Sequence, residues 1–220
     1  MVAELCIPIR LILDYTDRTM LGGNQIMTLA TDRKITLNEF LTYDDGSDRS
    51  YELVDGVLVE MATESTINLQ IAIFLIELFL QLTGRKFIGI KHKIEVPSRY
   101  VTARDADLII HSPESSAAIE GRTEACLCLH EPNPRLIIEV VSPGKETTDN
   151  YKRDYKQKPK EYADRGIPEF WRIDPSRNWV QVLILENNQY QTTTFTGNDR
   201  IISPTFPTLT ITAQQILTAN

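Results

Sequence analysis

Cysteine is scarce in this 220-residue chain, which contains three, an odd number: Cys6, Cys126 and Cys128. The pair Cys126 and Cys128 lacks the usual spacing of a zinc site, and no second pair completes one. The three histidines (His92, His111 and His130) are scattered, and they form no i, i+4 pair or other metal motif. We therefore expect free thiols in a reducing, cytoplasmic environment and no zinc centre.

Long apolar runs are also lacking. The longest, Ile71 to Leu82, contains Glu77 and is too short to cross a bilayer. The first residues lack the basic stretch, apolar core and small-residue cleavage site of a secretory signal. The net charge of −7 is not that of a protein that coats nucleic acid, and it argues against tight, unspecific DNA binding at physiological salt. These observations predict a soluble protein with no membrane partner.

The rest of the composition is that of an ordinary globular protein, 42% hydrophobic and 24% charged, with no internal repeat, low-complexity tract or domain linker. The length predicts one domain. Residues 1–26 form the exception, because they are interrupted by the breaker Gly22-Gly23-Asn24. We predict a loosely attached, poorly ordered N-terminal extension over residues 1–26, with an ordered extra strand as the alternative, and a single domain over residues 27–220.

Local patterns predict both helices and strands along this domain. Thr36 with Glu39 three residues later forms a capping box for a short helix. Asp55-Gly56 fits the tight two-residue turn of a hairpin over residues 51–61. A helix over residues 67–82, ended by Gly84, is apolar nearly all round and is therefore expected to be buried against a sheet. Further strands are expected over residues 86–96, 106–111, 136–141 and 169–173, and a C-terminal hairpin over residues 179–195.

The stretch Pro134 to Pro175 contains the most informative pattern, which reads strand, loop, helix, strand. Leu136 to Val141 is an apolar run interrupted by Glu139, and it is typical of a strand buried on both faces. A carboxylate inside such a strand is costly unless it is paired or binds a metal. The alternative is that Glu139 lies at an exposed end of the strand.

The helix that follows, capped by Thr148 or Asp149, carries one lysine on an aromatic stripe. Its members fall at i, i+4, i+7 and i+11: Tyr151, Tyr155, Lys158 and Tyr162. This spacing places them on one face, directed at the strand that carries Glu139. The alternative is a solvated Lys158 in a run of mixed charges. Pro159 disfavours α geometry at the preceding residue, so it leaves the direction of Lys158 open.

Several pieces of the chain resemble the Uma2 family, a group formerly described as a domain of unknown function and placed in the PD-(D/E)XK nuclease superfamily. The resemblance covers residues 35–217. The pieces are YELVDGVLVEM, ADLII, LIIEVVSP, Lys158 followed four residues later by Tyr162, and GIPEFWRIDP. It implies an α/β, restriction-endonuclease-like fold: a mixed central sheet flanked by helices, with extra N-terminal and C-terminal β-hairpins.

The resemblance also implies a function, a metal-dependent DNA endonuclease that hydrolyses phosphodiester bonds. Asp107 and Glu139 would be the metal ligands, Lys158 would position or polarise the attacking water, and Glu52 would be a supporting acid or a ligand of a second metal. Oxygen-rich sites suit Mg²⁺ or Mn²⁺. An acidic metal-binding cleft would contribute to the negative charge of the chain. DNA of unknown sequence preference is the expected partner, and a homodimer is expected only weakly.

Two departures from the superfamily signature leave an alternative open. Ala106 stands where the signature has proline, and Val141 stands where it has lysine, two residues after Glu139. Lys158 would then supply the missing ammonium from the following helix. The alternative is a non-catalytic member of the fold, a binding or regulatory module with an acidic pocket. A glycosidase with two carboxylates is weaker, because the sequence lacks an aromatic sugar platform and gives Lys158 no role.

Overall fold

A computed structural model describes residues 33–219 of the chain. The predicted extension over residues 1–26, the predicted domain start at residue 27 and Cys6 lie outside the described residues. Within that range, Cys126 and Cys128 are free thiols, as expected.

Helices and strands alternate along the described residues. The helices are α1 (Leu37–Leu41), α2 (Thr66–Thr83), α3 (Pro113–Ile119), α4 (Asp149–Lys152), α5 (Lys158–Arg165) and α6 (Ala213–Thr218). The strands are β1 (Tyr51–Val54), β2 (Val57–Glu60), β3 (Ile88–Ile90), β4 (Lys93–Val96), β5 (Thr102–Asp105), β6 (Leu108–Ile110), β7 (Cys126–Leu127), β8 (Leu136–Val140), β9 (Glu169–Asp174), β10 (Trp179–Glu186) and β11 (Gln189–Phe195).

The strands form two sheets rather than one central sheet. A six-stranded sheet has the order β11-β10-β9-β8-β6-β3, in which only β8 and β9 are parallel neighbours. A five-stranded sheet has the order β2-β1-β5-β4-β7, with β4 and β7 parallel. The expected N-terminal hairpin belongs to the second sheet, and the C-terminal hairpin extends the first. The α/β class with mixed sheets and flanking helices is thus confirmed.

Two local predictions are confirmed in detail. The side chain of Thr36 accepts from the amide of Glu39, and the Glu39 carboxylate accepts from the amide of Thr36, which completes the capping box. Asp55 and Gly56 have φ values of 49° and 82°, so both occupy the left-handed region that a tight two-residue hairpin turn requires.

Helix α2 is buried on one side only. Ile71, Leu75 and Phe79 are fully buried against the six-stranded sheet, whereas Leu69 and Ile73 remain 50% and 57% exposed. The expectation that this apolar helix is buried against a sheet is confirmed, although only one of its faces is covered by the residues that the structure describes. By length and composition alone α2 could span a membrane, a test that core helices of soluble proteins also pass.

The helical stretch after β8 is not a continuous α-helix. Thr148 is its N-cap, and a π-helical segment, Arg153–Gln157, separates α4 from α5. The Lys158 amide bonds to the Arg153 carbonyl, five residues back. Pro159 has no amide N–H, and its ring would clash with the Tyr155 carbonyl in a regular helix. The wider turn accommodates the proline and rotates the helix faces relative to each other.

Candidate active site

Glu139 and Lys158 form a buried ion pair between strand and helix. The Lys158 Nζ lies 2.8 Å from the Glu139 Oε2 and 3.2 Å from the Glu52 Oε1. The Tyr162 hydroxyl, one turn further along α5, donates to the Glu139 Oε1 at 2.6 Å. Lys158 is 2% exposed and Glu139 5%, so the alternatives of a solvated lysine and an exposed glutamate do not hold.

Glu52, on β1, connects this pair to the five-stranded sheet. Its carboxylate accepts from the Arg104 Nη1 at 2.9 Å, and both side chains are fully buried. Arg104, on β5, also donates through Nε and Nη2 to the two oxygens of Glu161, each at 2.7 Å. Because Glu161 belongs to α5, this bidentate contact ties the helix to the second sheet. Glu52 and Arg104 thus fix the position from which Lys158 reaches Glu139.

Asp107 immediately precedes β6 and lies beside β8. Its Oδ2 accepts from the Val140 amide at 2.8 Å, a contact that aligns the carboxylate with the residue after Glu139. Its Oδ1 accepts from the Lys91 Nζ at 2.5 Å. Lys91 also contacts the Glu64 Oε1 at 3.3 Å. The pairing of Leu108 with Ile138 across the two strands places Asp107 opposite Glu139.

Asp107, Glu139 and Lys158 border a cavity of about 300 Å³ that is lined by residues of both sheets. Its charged lining residues, acidic in excess, are Asp48, Arg49, Glu60, Glu64, Lys91, Asp105, Asp107, Glu139, Arg153, Asp154 and Lys158. Glu52 lies beneath this surface and does not line the cavity. The structure therefore brings Asp107, Glu139 and Lys158 to one cavity, with Glu52 in contact with Lys158 from below.

The excess of carboxylates shows in their pKa values. Burial, together with neighbouring Asp107 and Glu52, raises the pKa of Glu139 to about 8 despite the opposing effect of Lys158. Burial likewise raises the pKa of Asp105 to about 6. For Glu52, burial acts in the same direction, but Lys158 and Arg104 outweigh it and lower the pKa to about 2. The negative charge of Glu52 is thus balanced by Lys158 and Arg104, whereas neighbouring cations do not fully balance the charges of Glu139 and Asp105 at the cavity wall.

The donor set of the cavity fits Mg²⁺ or Mn²⁺ better than a softer metal. The cavity is lined by Asp and Glu carboxylates, with no His or Cys among the described residues that line it. The Asp105 Oδ1 is a buried oxygen without a hydrogen-bond partner. Among residues 33–219, no three His, Cys, Asp or Glu side chains are arranged to enclose a metal ion. Mg²⁺ commonly binds through one or two carboxylates and keeps several waters, so Asp107 and Glu139 would suffice as its protein ligands.

Sequence reasoning missed several members of this site. Arg104 and Asp105 lie on β5, which was not assigned as a strand, and Arg153, which was not singled out, is buried. The prediction that three tyrosines and Lys158 share one helix face is wrong, because the π-helical segment directs Tyr155 away from the face of Lys158 and Tyr162. Tyr155 donates to Asp174 at the end of β9, whereas Lys158 and Tyr162 face Glu139.

The two departures from the signature have clear structural places. Val141 directly follows the end of β8; it is 4% exposed, and its amide donates to the Ile173 carbonyl at 2.8 Å. Ala106 lies in the two-residue connection between β5 and β6 and is fully buried, and Asp107 beside it lines the cavity. The ammonium group nearest Glu139 is that of Lys158, supplied from α5.

Away from the cavity, two of the scattered histidines meet. The His92 Nδ1 and His111 Nε2 lie 3.0 Å apart, and the His111 Nδ1 lies 3.1 Å from the Ser115 Oγ. Burial lowers the pKa of both imidazoles. His111 is 2% exposed, so it acts as a satisfied core residue.

The fold and the charged cavity together define a protein of the restriction-endonuclease-like class. A crystal structure described as "a putative nuclease belonging to DUF820", from Anabaena variabilis ATCC 29413, has the same fold, with a TM-score of 0.61 and 17% sequence identity over 84% of this chain and 98% of that chain. The family model Uma2, described as "Putative restriction endonuclease", matches residues 37–214. The chain therefore belongs to the Uma2 family. No curated protein matches it.

Proposed function

We propose that the protein is a metal-dependent endonuclease that hydrolyses phosphodiester bonds in DNA, with a PD-(D/E)XK-type site formed by Asp107, Glu139 and Lys158. The observation that carries the proposal is the ion pair of Lys158 with Glu139 at the wall of a cavity that Asp107 also lines. Membership of a family described as restriction endonucleases supports the nuclease class.

Each residue has a role that its contacts support. Asp107 and Glu139 would hold Mg²⁺ or Mn²⁺, which when bound would neutralise phosphoryl oxygens and lower the pKa of a water. The Lys158 ammonium has three N–H donors, of which one donates to Glu139, and the Glu52 carboxylate lies 3.2 Å away as a second ion-pair partner. Its remaining donor can hold a water or a phosphate oxygen in the cavity. Tyr162 fixes the second oxygen of Glu139, and Glu52 acts as a supporting acid that positions Lys158.

DNA is the proposed partner, and its contact with the protein is expected to depend on a few local cations. Arg49, Lys91 and Arg153 are on the cavity wall, among a larger number of carboxylates. The net charge of −7 opposes unspecific affinity, so binding should be weak and should weaken further as salt is added. Cytoplasmic location and the weakly expected homodimer stay predictions.

The second candidate is the non-catalytic binding or regulatory module. Its support is the charge network itself: an ion pair this deeply buried also occurs as a purely structural element. The two functions differ in whether the cavity turns over a phosphodiester, and a direct assay separates them.

The test is nicking of supercoiled plasmid by the purified protein with Mg²⁺, Mn²⁺ or EDTA. Wild type is compared with Glu139→Gln, Lys158→Met and a matched control, Lys160→Met, whose exposed side chain lies two residues away on the same helix. We expect metal-dependent nicking that falls at least about 100-fold in the first two variants and stays unchanged in the control.

Circular dichroism and melting of each variant distinguish loss of chemistry from loss of fold. Loss with Glu139→Gln alone would remove Lys158 from the mechanism and keep the nuclease. Absence of nicking by folded wild type, across plasmids and oligonucleotides of varied sequence, would favour the non-catalytic module.

A further inference from the structure

The Lys91 side chain is already bound to the acid that the proposed metal requires. Its Nζ lies 2.5 Å from the Asp107 Oδ1 and 3.3 Å from the Glu64 Oε1, so one ammonium joins two carboxylates of the cavity wall. The other oxygen of Asp107 is held by the Val140 amide. The side of Asp107 that is free of the main chain is therefore the side that Lys91 covers.

The backbone at Lys91 is adapted to this contact. Lys91 has a φ of 54°, in the left-handed region that a residue with a side chain rarely adopts. It lies in the two-residue connection between β3, the edge strand of one sheet, and β4 of the other. Such conformations persist where surrounding contacts enforce them, and the pairing with Asp107 is a contact of that kind.

Lys91 differs from Lys158 in its solvent exposure. The Lys91 side chain is 46% exposed and that of Lys158 only 3%. An exposed ammonium can leave its partner at small cost, since surface ion pairs contribute little to stability. Lys158, by contrast, cannot leave Glu139 without exposing a buried charge.

We propose that the Lys91 ammonium is an internal competitor for the proposed metal, which occupies Asp107 as a monovalent cation and must move away when a divalent cation binds. This inference rests on the proposed function. A divalent ion bound at the Asp107 Oδ1 would take the position that the Lys91 Nζ now holds, and the two positive charges would repel each other. Glu64, already 3.3 Å from the ammonium, is the group that retains it after displacement. Lys91 then sets the metal concentration at which the site fills.

The test is a titration with Mn²⁺ followed by the electron paramagnetic resonance signal of the free ion, which measures binding without any turnover. Wild type is compared with Lys91→Met and with Lys93→Met. Lys93, two residues away, lies over the Phe40 ring and serves as a matched control for the loss of one charge. We expect about tenfold tighter Mn²⁺ binding in Lys91→Met and less than about twofold change in Lys93→Met.

A second variant, Lys91→Gly, removes the charge and also suits the left-handed backbone, so it protects the test against a folding defect. It should bind Mn²⁺ at least as tightly as Lys91→Met. Equal or weaker binding by both Lys91 variants relative to a wild type that binds Mn²⁺ would overturn this inference and leave the proposed function intact. Absence of Mn²⁺ binding by wild type and by both variants would overturn the metal dependence of the proposed function and this inference with it.

Discussion

Two buried carboxylates on neighbouring parallel strands, Asp174 on β9 and Glu139 on β8, face the same helical stretch and differ in how their charge is balanced. Asp174 accepts from the Ser176 Oγ at 2.6 Å and the Arg177 Nη1 at 2.7 Å, and also from the Tyr155 hydroxyl. Burial alone would raise the pKa of Asp174, but these hydrogen bonds lower it. The charge of the Asp174 carboxylate is therefore balanced by the donors around it.

Glu139 has a lysine at 2.8 Å and a tyrosine hydroxyl at 2.6 Å, yet its pKa is raised. Its neighbours Asp107 and Glu52 are also acids, and Lys158 is shared between Glu139 and Glu52. Burial is thus common to both groups, and charge balance separates them. The unbalanced group is the one that borders a cavity, which is the pattern expected of a functional site.

The largest predicted effect concerns two arginines: Arg104, which contacts Glu52 beside Glu139, and Arg177, which contacts Asp174. Arg104→Met should lower the free energy of unfolding by about 3–5 kcal/mol, because it leaves Glu52 and Glu161 without their shared partner in a buried position. Arg177→Met should cost only about 1–2 kcal/mol, because Asp174 keeps Ser176 and Tyr155 as donors. Urea unfolding at pH 7 measures both. Equal losses would mean that the two groups do not differ in the way described.

A smaller effect is expected in the pH dependence of stability at Glu52. The pKa of Glu52 falls from an ordinary value of 4.5 to about 2 in the folded protein. Ionised Glu52 therefore stabilises the fold above pH 4.5, and this contribution is lost as the pH falls toward 2. The stability gap between wild type and Glu52→Gln should be widest at pH 7 and should shrink between pH 5 and pH 3. Melting temperatures across that range provide the measurement, and a constant gap would contradict the prediction.

The smallest predicted effects are changes in stability of opposite sign in two Asp→Asn variants. Asp105→Asn should leave stability at pH 7 unchanged or raise it by up to about 1 kcal/mol, because the ionised carboxylate is buried, lacks a partner at Oδ1 and has a raised pKa. Asp174→Asn should lower stability, because the amide cannot accept from all of its donors. Both substitutions are nearly isosteric, so each serves as the control for the other. A loss of stability in Asp105→Asn would show that its charge is balanced after all.

Features that depend on neighbouring residues were predictable from the sequence. The capping box at Thr36, the hairpin turn at Asp55-Gly56 and the buried strand around Glu139 all follow from local patterns, and the structure contains them. The nearness of Lys158 to Glu139 was also predictable, because a helix that follows a strand in a crossover packs back against it. Assignment to a nuclease family depended on the resemblance of several such pieces in order.

Features that depend on distant residues were not predictable in this way. Arg104 resembles a surface residue in its local sequence, and it is buried only because acids from β1 and α5 meet it. The π-helical segment was signalled by Pro159, but the proline alone does not fix where the wider turn occurs. The chain passes from one sheet to the other at Lys91 through a left-handed backbone conformation, which a lysine in the sequence does not predict.

The bidentate contact of Arg104 with Glu161 also has a consequence for the order of folding. The two residues are 57 positions apart in the chain, and the residues between them include strands of both sheets. Closing so long a loop carries an entropic cost that must be met before the contact contributes anything, which makes such contacts late events. We therefore expect the charge network to assemble in the last folding step. We expect that a chain still emerging from the ribosome lacks an organised cavity until α5 has been synthesised, and that the proposed nuclease activity cannot begin before then.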